Sequence, residues 1–177
     1  MSGGLTLSEI EQADHAGVLT LNQASQPHVN GLSLDELQQL IDWSCYRRVL
    51  RDGERIAGFL LALPTGLPYQ SLNYRWFSRH YDDFVYIDRV AVSPPYQRRG
   101  LGVQLYQDLH RYAEGRTRRV ACEVNLEPRN DPSLVFHDRL GYQAVGSQAT
   151  EGGAKTVSLL VLDIEPGVAT ASGEAYP

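Results

Sequence analysis

The six residues Gln97-Arg98-Arg99-Gly100-Leu101-Gly102 have the composition of a turn that binds a phosphate group. They stand between a strand-like stretch and a stretch with helical spacing of leucines. Backbone N–H groups at the start of a helix lack intrahelical partners and can hold an anion, and glycine lets the backbone approach it closely. Arg98 and Arg99 add positive charge, which is unfavourable at a helix start unless an anion binds there. These features predict a diphosphate site.

Two common nucleotide-binding motifs fit this turn poorly. A P-loop would end in Lys followed by Ser or Thr, and that ending is absent here. The dinucleotide fingerprint would need a third glycine where Leu105 stands. Neither class of nucleotide-binding protein is therefore predicted.

Strands and helices alternate on both sides of the turn. Pro94-Pro95 end a strand predicted at residues 84–92, and a helix is predicted from near Gly100 to residues 114–115. After it, the sequence predicts a strand at residues 119–125, a helix at 132–140, and strands at 142–145 and 156–163.

The preceding residues predict two helices and a hairpin. Ser33 and Glu36 are spaced as a capping box, and Asp52-Gly53 between two apolar runs is a hairpin signal. In order, we predict a strand at residues 5–8, a helix at 9–24, the helix after Ser33, strands at 45–50 and 55–63, and a long aromatic-rich loop at 64–82. The order β-α-α-β-β-β-α-β-α-β-β is that of a mixed α/β domain.

Three stretches of the chain resemble the GCN5-related N-acetyltransferase (GNAT) superfamily. Residues 97–102 resemble its Q/R-x-x-G-x-G/A signature, and residues 86–92 resemble the strand before it. Downstream, Asn130-x-x-Ser133-x-x-Phe136-His137-x-x-Leu140-Gly141-Tyr142 resembles the pattern N-x-x-A-x-x-F-Y-x-x-x-G-F. The resemblance covers about residues 84–145, and the N-terminal part agrees only in element order. It implies the acyl-CoA N-acyltransferase fold, a mixed, predominantly antiparallel sheet flanked by helices.

The resemblance also implies how acetyl-CoA is bound. The turn holds the pyrophosphate, a splayed or bulged strand at residues 90–92 offers free amides to the acetyl carbonyl and pantetheine, and Asn130 contacts the coenzyme arm. For Asn125 an ordinary turn role is nearly as plausible. The implied coenzyme contacts are Val90, Ala91, Val92, Gln97, Arg98, Arg99, Gly100, Leu101, Gly102, Val103, Asn125, Asn130, Ser133 and Phe136.

Acetyl transfer to an amine needs a base that takes the ammonium proton. Asp88 and Glu123 are the candidates, each about two residues before the point where their strands are expected to part. Each could instead form an ion pair, Asp88 with Arg89 and Glu123 with Arg119 or Arg139.

The reaction also needs a proton for the departing thiolate, and His137 is the candidate acid. It stands where the family commonly has a tyrosine with that role, so the role does not transfer without a separate chemical reason. An ordinary histidine pKa near ~6.5 supplies one, because such a group donates protons near neutral pH. The alternative is a neutral histidine packed between helix and sheet, with a water or Tyr142 supplying the proton.

The predicted loop at residues 64–82 is the candidate acceptor site, with Tyr69, Tyr74 and Trp76 as walls of an apolar slot. The alternative is a packed surface loop or a contact in a homodimer. We expect direct attack by the primary amine of a small molecule or amino acid in a ternary complex. Two other functions stay open: a non-catalytic acyl-CoA sensor, and an acyltransferase for a larger acyl group, for which Arg75 and Arg79 are available.

Composition limits the partners. The 177 residues carry a formal net charge of -5 and a pI of about 5.5, which gives no electrostatic footprint for nucleic acid or an anionic membrane. Cys45 and Cys122 form no disulfide framework, and no metal-ligand spacing occurs, so no metal is predicted. The start lacks a signal-peptide pattern, which favours a cytoplasmic protein. We expect one domain at residues 1–164 and a disordered tail at 165–177.

Overall fold

One mixed β-sheet organises the computed structural model, which describes residues 4–26 and 28–165. Its strands lie in the order β1-β2-β3-β4-β5-β7-β6, and neighbours are antiparallel except for β4 and β5. The predicted α/β class is thereby confirmed. Residues 166–177 of the predicted tail lie outside the described residues. The strands are β1 (Thr6–Glu9), β2 (Tyr46–Asp52), β3 (Arg55–Pro64), β4 (Val85–Val92), β5 (Arg119–Glu127), β6 (Gln143–Thr150) and β7 (Lys155–Asp163).

Helices cover both faces of the sheet, which gives three layers. They are α1 (His15–Ala24), α2 (Leu34–Trp43), α3 (Leu72–His80), α4 (Leu101–Ala113) and α5 (Asp131–Arg139). The buried faces of α1, α2 and α3 share one apolar cluster with β3 and β4. The buried face of α4 forms a second cluster on the opposite face, and α5 packs against it. None of the described helices is long and apolar enough to cross a membrane.

Local sequence signals account for several element boundaries. Ser33 Oγ accepts a hydrogen bond from the Glu36 amide at 3.2 Å, and the Ser33 amide donates to Glu36 Oε2 at 2.7 Å. This capping box starts α2 as predicted. Gly53, with φ of 60°, makes the turn between β2 and β3, because glycine adopts left-handed backbone at no steric cost. The predicted hairpin is therefore confirmed.

The loop predicted at residues 64–82 is wrong in part, because it contains helix α3. Ser71 Oγ accepts a hydrogen bond from the Tyr74 amide at 3.3 Å and so caps its first turn. Tyr74 and Phe77, three residues apart, are fully buried against the sheet. The element order therefore has one helix more than predicted, between β3 and β4.

The parallel pair β4 and β5 parts early. Its paired residues are Val85 with Val120 and Tyr86 with Ala121, although both strands continue beyond them. Asp88 and Glu123 each follow the last paired residue of their strand by two positions. The prediction that they precede the parting point is thus wrong: they lie inside the gap.

A bulge in β4 changes which way its side chains face. Leu61 pairs with Arg89 but Ala62 pairs with Ile87, so Asp88 is an extra residue on its strand. Because of this extra residue, Arg89 faces the side of α1 instead of sharing the face of Ile87. The bulge thereby turns a charged pair, Asp88-Arg89, toward the gap between β4 and β5.

Candidate active site

A cavity of about 310 Å³ fills the gap between β4 and β5. It is lined from both faces of the sheet, because the α1–α2 loop and α3 contribute residues from one side and α4 and α5 from the other. The lining on the side of α1, α2 and α3 includes His28, Asn30, Tyr69, Ser71 and Asn73, and the opposite side includes Tyr106, Asn125, Asn130, Ser133 and His137. The cavity therefore connects the two faces of the sheet.

Glu123 lies in this gap with its carboxylate held by a neighbouring strand. The Tyr86 hydroxyl donates to Glu123 Oε1 at 2.9 Å and to Oε2 at 2.8 Å. Burial raises the pKa of Glu123 to about 7, with a further rise from Asp88, while the Tyr86 hydrogen bond acts in the opposite direction. The alternative prediction is an ion pair of Glu123 with Arg119 or Arg139. Arg119 instead pairs with Asp163, with 3.4 Å between Arg119 Nε and Asp163 Oδ1.

Asp88 is the second carboxylate in the gap, and its side chain is 4% exposed. Arg89 Nε lies 3.2 Å from Asp88 Oδ2, so the pairing predicted as its alternative role exists. Neither of these two atoms has a well-aligned hydrogen bond. Burial raises the pKa of Asp88, and the Arg89 guanidinium and the Tyr69 hydroxyl oppose the rise. A cationic group in the cavity could therefore donate a hydrogen bond to Asp88 Oδ2.

Arg89 also fixes the α1–α2 loop, which lines one side of the cavity. Its Nη1 donates to the Asn30 carbonyl oxygen at 2.7 Å and to Asn22 Oδ1 at 3.0 Å. Asn22 Nδ2 donates to the same carbonyl at 3.1 Å. One buried guanidinium thus links the α1–α2 loop to the carboxylates.

The phosphate-binding turn has the backbone shape its sequence requires. Arg98 and Gly100 have left-handed φ angles of 59° and 79°, and α4 begins directly afterwards. The side chains of Arg98 and Arg99 are exposed, whereas the Leu101 side chain is buried in the core. Leu101 and Gly102 can therefore contribute backbone amides at the helix start, beside two exposed cationic side chains, and this arrangement suits a diphosphate. Val103 follows on the same turn and is partly buried.

Two further sets of predicted coenzyme contacts lie along the gap. Residues 90–92 pair with β3 on one side and have no partner from β5 on the other, which agrees with the splayed strand that the resemblance implies. The Gln97 side chain donates to the Val92 carbonyl at 3.1 Å and fixes the turn to this strand. Asn130 caps α5, because its side-chain Oδ1 accepts a hydrogen bond from the Ser133 backbone amide at 3.2 Å. The backbone N–H of Asn130 donates to the Asn125 backbone carbonyl at 3.1 Å. Both asparagines line the cavity.

His137 is buried, and both of its ring nitrogens are hydrogen-bonded. Nδ1 lies 2.7 Å from the Ser133 carbonyl oxygen, which can only accept, so Nδ1 carries the proton. Nε2 then accepts from the Tyr106 hydroxyl at 2.8 Å. Burial lowers the pKa of His137, which keeps the ring neutral. This geometry favours a packing role over the predicted acid role, because no proton is free at Nε2.

The three aromatic residues predicted as acceptor walls have different locations. Tyr69 lines the cavity. Tyr74 is buried in the core, where its hydroxyl donates to the Pro64 carbonyl at 2.6 Å, and Trp76 packs over Gly146. We therefore keep Tyr69 as a candidate and assign Tyr74 and Trp76 to the packing of α3.

The cavity residues that sequence reasoning missed include Asn73 and Tyr106. Asn73 fell in the predicted loop, and the signal that could have found it is the Ser71 cap, which starts a helix there. Tyr106 follows the helical apolar spacing of α4 and is indistinguishable in sequence from a core residue.

Comparison with known proteins agrees with this geometry. Residues 14–142 match the family described as Acetyltransferase (GNAT) family. The chain belongs to this family. Phosphinothricin N-acetyltransferase of Streptomyces viridochromogenes is 31% identical over 134 residues, which cover 75% of this chain and 66% of that protein, just under two thirds of its length.

Solved GNAT structures share the fold at low sequence identity. Arabidopsis thaliana NAA60 in complex with acetyl-CoA superposes with a TM-score of 0.74 at 19% identity, covering 91% of this chain and 100% of that one. The ribosomal-protein-S18-alanine N-acetyltransferase of Escherichia coli gives a TM-score of 0.70 at 19% identity, covering 98% of this chain and 100% of that one. These likenesses extend to nearly the whole chain, including its N-terminal half.

Substitution of Gly102 by Asp should abolish coenzyme A binding, since a carboxylate at the start of α4 would repel the diphosphate. We expect affinity to fall at least about tenfold, because charge repulsion at a partly desolvated site exceeds ~1.4 kcal/mol. Isothermal titration calorimetry with coenzyme A measures this. The matched control is Gly102→Ala: its Cβ would lie 3.5 Å from Phe136 Cζ, an ordinary contact, so near wild-type affinity is expected. Unchanged affinity in a folded Gly102→Asp protein would contradict the assignment.

Substitution of His137 by Phe should lower the free energy of unfolding while changing kcat little. The Tyr106 hydroxyl and the Ser133 carbonyl each lose a partner, at a cost of about 1–3 kcal/mol per buried group. Thermal unfolding measures the first effect, and kcat between pH 6 and 9 measures the second. A general acid would instead show a loss of about 10²-fold in kcat, and a loss of that size would restore the acid role.

Proposed function

We propose that this protein transfers an acetyl group from acetyl-CoA to the primary amine of a small molecule or amino acid, by direct attack in a ternary complex. The observation that carries the proposal is the cavity through the sheet. Coenzyme A would be held from the side of α4 and α5, and the amine would enter from the side of α1, α2 and α3. Both reactants then meet at the gap, where holding them together supplies much of the rate enhancement.

Two carboxylates prepare the amine for attack. An ammonium group entering the gap is attracted by Asp88, whose Oδ2 lacks a well-aligned hydrogen bond. Glu123, with a pKa raised by burial to about 7, can take the ammonium proton near neutral pH. The freed amine nitrogen then attacks the thioester carbonyl carbon and the C–S bond breaks, and the proton that the nitrogen loses on becoming an amide is passed to the departing thiolate.

The residues of the coenzyme side fit acetyl-CoA. Amides at the start of α4, with Arg98 and Arg99 exposed beside them, suit the diphosphate. The edge of β4 at residues 90–92, which no β5 residue pairs with, offers backbone groups along the gap to the pantetheine arm and the acetyl carbonyl. This is binding by backbone and charge, which the transfer of an acyl group from a thioester requires.

A small acceptor is supported by the walls of the acceptor side. Arg89 holds the α1–α2 loop over the cavity through the Asn30 carbonyl, which limits the size of the entering group. The relative from Streptomyces acts, by its name, on the small molecule phosphinothricin. The structural neighbour from Escherichia coli is named for a ribosomal protein as its acceptor, so a protein is the acceptor class to exclude.

A non-catalytic acyl-CoA sensor is the second candidate function. The intact phosphate-binding turn serves a sensor as well as an enzyme. The position of Glu123 favours the enzyme, since a sensor gains nothing from a costly buried carboxylate in the gap.

Release of free thiol from acetyl-CoA with a panel of amines tests the proposed function. The panel contains amino acids, small primary amines and a peptide with a free N-terminus. We expect turnover with a small amine, and kcat/KM that rises with pH through about 7, because Glu123 must be deprotonated to act as base.

Substitution of Glu123 by Gln should then lower kcat by about 10²-fold or more and remove the rise near pH 7. Glu127→Gln, an exposed position on the same strand, is the matched control and should keep both. Coenzyme A binding without thiol release for any amine would favour the sensor, and turnover restricted to the peptide would exclude a small acceptor.

A further inference from the structure

The hairpin formed by β6 and β7 brings the one lysine of the chain into the cavity. Of the 16 basic residues in the sequence, Lys155 is the single lysine and the others are arginines. Its side chain is only 18% exposed, although lysine usually keeps its ammonium group in water. Lys155 lines the cavity together with Thr150 and Glu151 of the same hairpin. A partly buried cation in the wall of a cavity can hold and orient an anionic group of a ligand.

Strand alternation places Lys155 on the side of the sheet where the amine is proposed to enter. Side chains two residues apart on a strand share a face, so Lys155 shares the face of Val157 and Leu159. Both of these belong to the apolar cluster that α1, α2 and α3 form with the sheet. Leu159 pairs with Glu123, and Lys155 lies four residues before Leu159, about 13 Å along the strand. The side chains of Lys155 and Glu123, with an acceptor of amino-acid size between them, can bridge this distance.

Glu151 is the partner that Lys155 has in this structure. Lys155 Nζ lies 2.8 Å from Glu151 Oε1, and the Glu151 side chain is 46% exposed. An ammonium group has three N–H donors, so one carboxylate does not saturate it. A half-exposed carboxylate also loses little when it turns into water, because exposed ion pairs are weak. An anion that enters the cavity can therefore share Lys155 with Glu151 or replace Glu151.

The charges of the cavity are arranged to suit a molecule with two opposite charges. Asp88 and Glu123 lie in the gap between β4 and β5, and Lys155 lies at the hairpin end of the same cavity. An amino acid could place its ammonium group at the two carboxylates and its own carboxylate at Lys155. Hydrogen bonds between charged groups are roughly twice as strong as those between neutral groups. An amine without an anionic group would forgo the contact with Lys155.

We propose that Lys155 is a specificity-determining residue that binds a carboxylate of the acceptor, so that the enzyme selects amino acids over simple amines. The inference rests on the proposed function, in which a small molecule or amino acid supplies the amine. Lys155 holds the acceptor and takes no part in the transfer of the acetyl group. Glu151 competes with the acceptor carboxylate for the same ammonium group.

Substitution of Lys155 by Met tests the proposal, since methionine keeps an unbranched side chain and removes the charge. The acceptors are amino acids and their carboxamides, which keep the amine and lack the carboxylate. For an amino acid, KM should rise about 10- to 100-fold while kcat changes little, the scale of one hydrogen bond between charged groups. For the matching carboxamide, KM should change by no more than about twofold. Each acceptor is compared between variant and wild type, so the different basicity of the two amines cancels.

Substitution of Glu151 by Gln distinguishes recognition of an anion from a purely structural ion pair. Removal of the competing carboxylate should lower the KM for the amino acid by about 2- to 5-fold, opposite in direction to Lys155→Met. A pair that only holds the hairpin would lower thermal stability in both variants, and KM would show no preference between amino acid and carboxamide. Arg118→Met removes one positive charge from an exposed position before β5 and is the matched control, which should leave both KM values unchanged.

The single lysine also permits a direct measurement of binding. Protein labelled with 13C only in lysine has one labelled side chain, that of Lys155. Its Cε signal should shift when the amino acids of the panel are titrated into the wild-type protein, and should not shift with their carboxamides. Because the wild type is used, this result does not depend on the folding of a variant.

Failure of this inference and failure of the proposed function have different signatures. Equal acetylation of amino acids and their carboxamides, with no shift of the lysine signal, would overturn the inference while acetyl transfer to a small amine stood. A lysine signal that shifts with amino acids, in a protein that acetylates no amine, would support the anion site and overturn the proposed function.

Discussion

The early end of pairing between β4 and β5 is the constraint on which the rest of the site depends. An unpaired backbone N–H or C=O away from water costs free energy comparable to a lost hydrogen bond. Pairing nevertheless stops at Tyr86 and Ala121, while β4 continues to Val92 and β5 to Glu127. Such a gap in the middle of a sheet is stable only where water or a ligand reaches the freed groups. The parted strands and the cavity are therefore one feature, and the proposed function has the reactants meet there.

Two carboxylates, Asp88 and Glu123, lie in this gap, and their partners differ. The bulge in β4 brings Arg89 beside Asp88, so that charge balances charge. Glu123 has a neutral donor instead, the Tyr86 hydroxyl, and burial raises its pKa to about 7. If both carboxylates had the same surroundings, both would be ions or both would be neutral acids. In the proposed function their different surroundings let Asp88 attract a cation and Glu123 exchange a proton. Arg89 also holds the α1–α2 loop, so the same guanidinium that balances Asp88 shapes the acceptor entrance.

Signals confined to a few consecutive residues were readable in the sequence, and signals that depend on distant pairing were not. The Ser33–Glu36 capping box and the Gly53 hairpin each need one short segment, and both predictions are confirmed. Helix α3 was missed because Leu72–His80 mixes aromatic and charged residues, and its start depends on the single Ser71 cap. The parting point was misplaced by a few residues because the last pair of β4 and β5 is set by residues far apart in the chain. Tyr74 and Tyr69 look alike in sequence, although one fills the core and the other lines the cavity.

The proposed coenzyme side of the cavity can be predicted from the sequence more readily than the proposed acceptor side, and the reason is physical. The proposed coenzyme binding relies on backbone: left-handed residues at Arg98 and Gly100, amides at the start of α4, and an edge of β4 free of β5. Backbone shape needs particular residue types at fixed spacing, and this is why a motif records it. The proposed acceptor binding relies on side chains from the α1–α2 loop, α3, β4 and β5, which the sheet brings together without any fixed spacing. His137 lies between these cases: the motif places it, but only its hydrogen bonds to the Ser133 carbonyl and Tyr106 reveal that the ring is neutral. A motif can therefore locate a side chain in this fold without determining its protonation, and the proton chemistry has to be derived from the contacts.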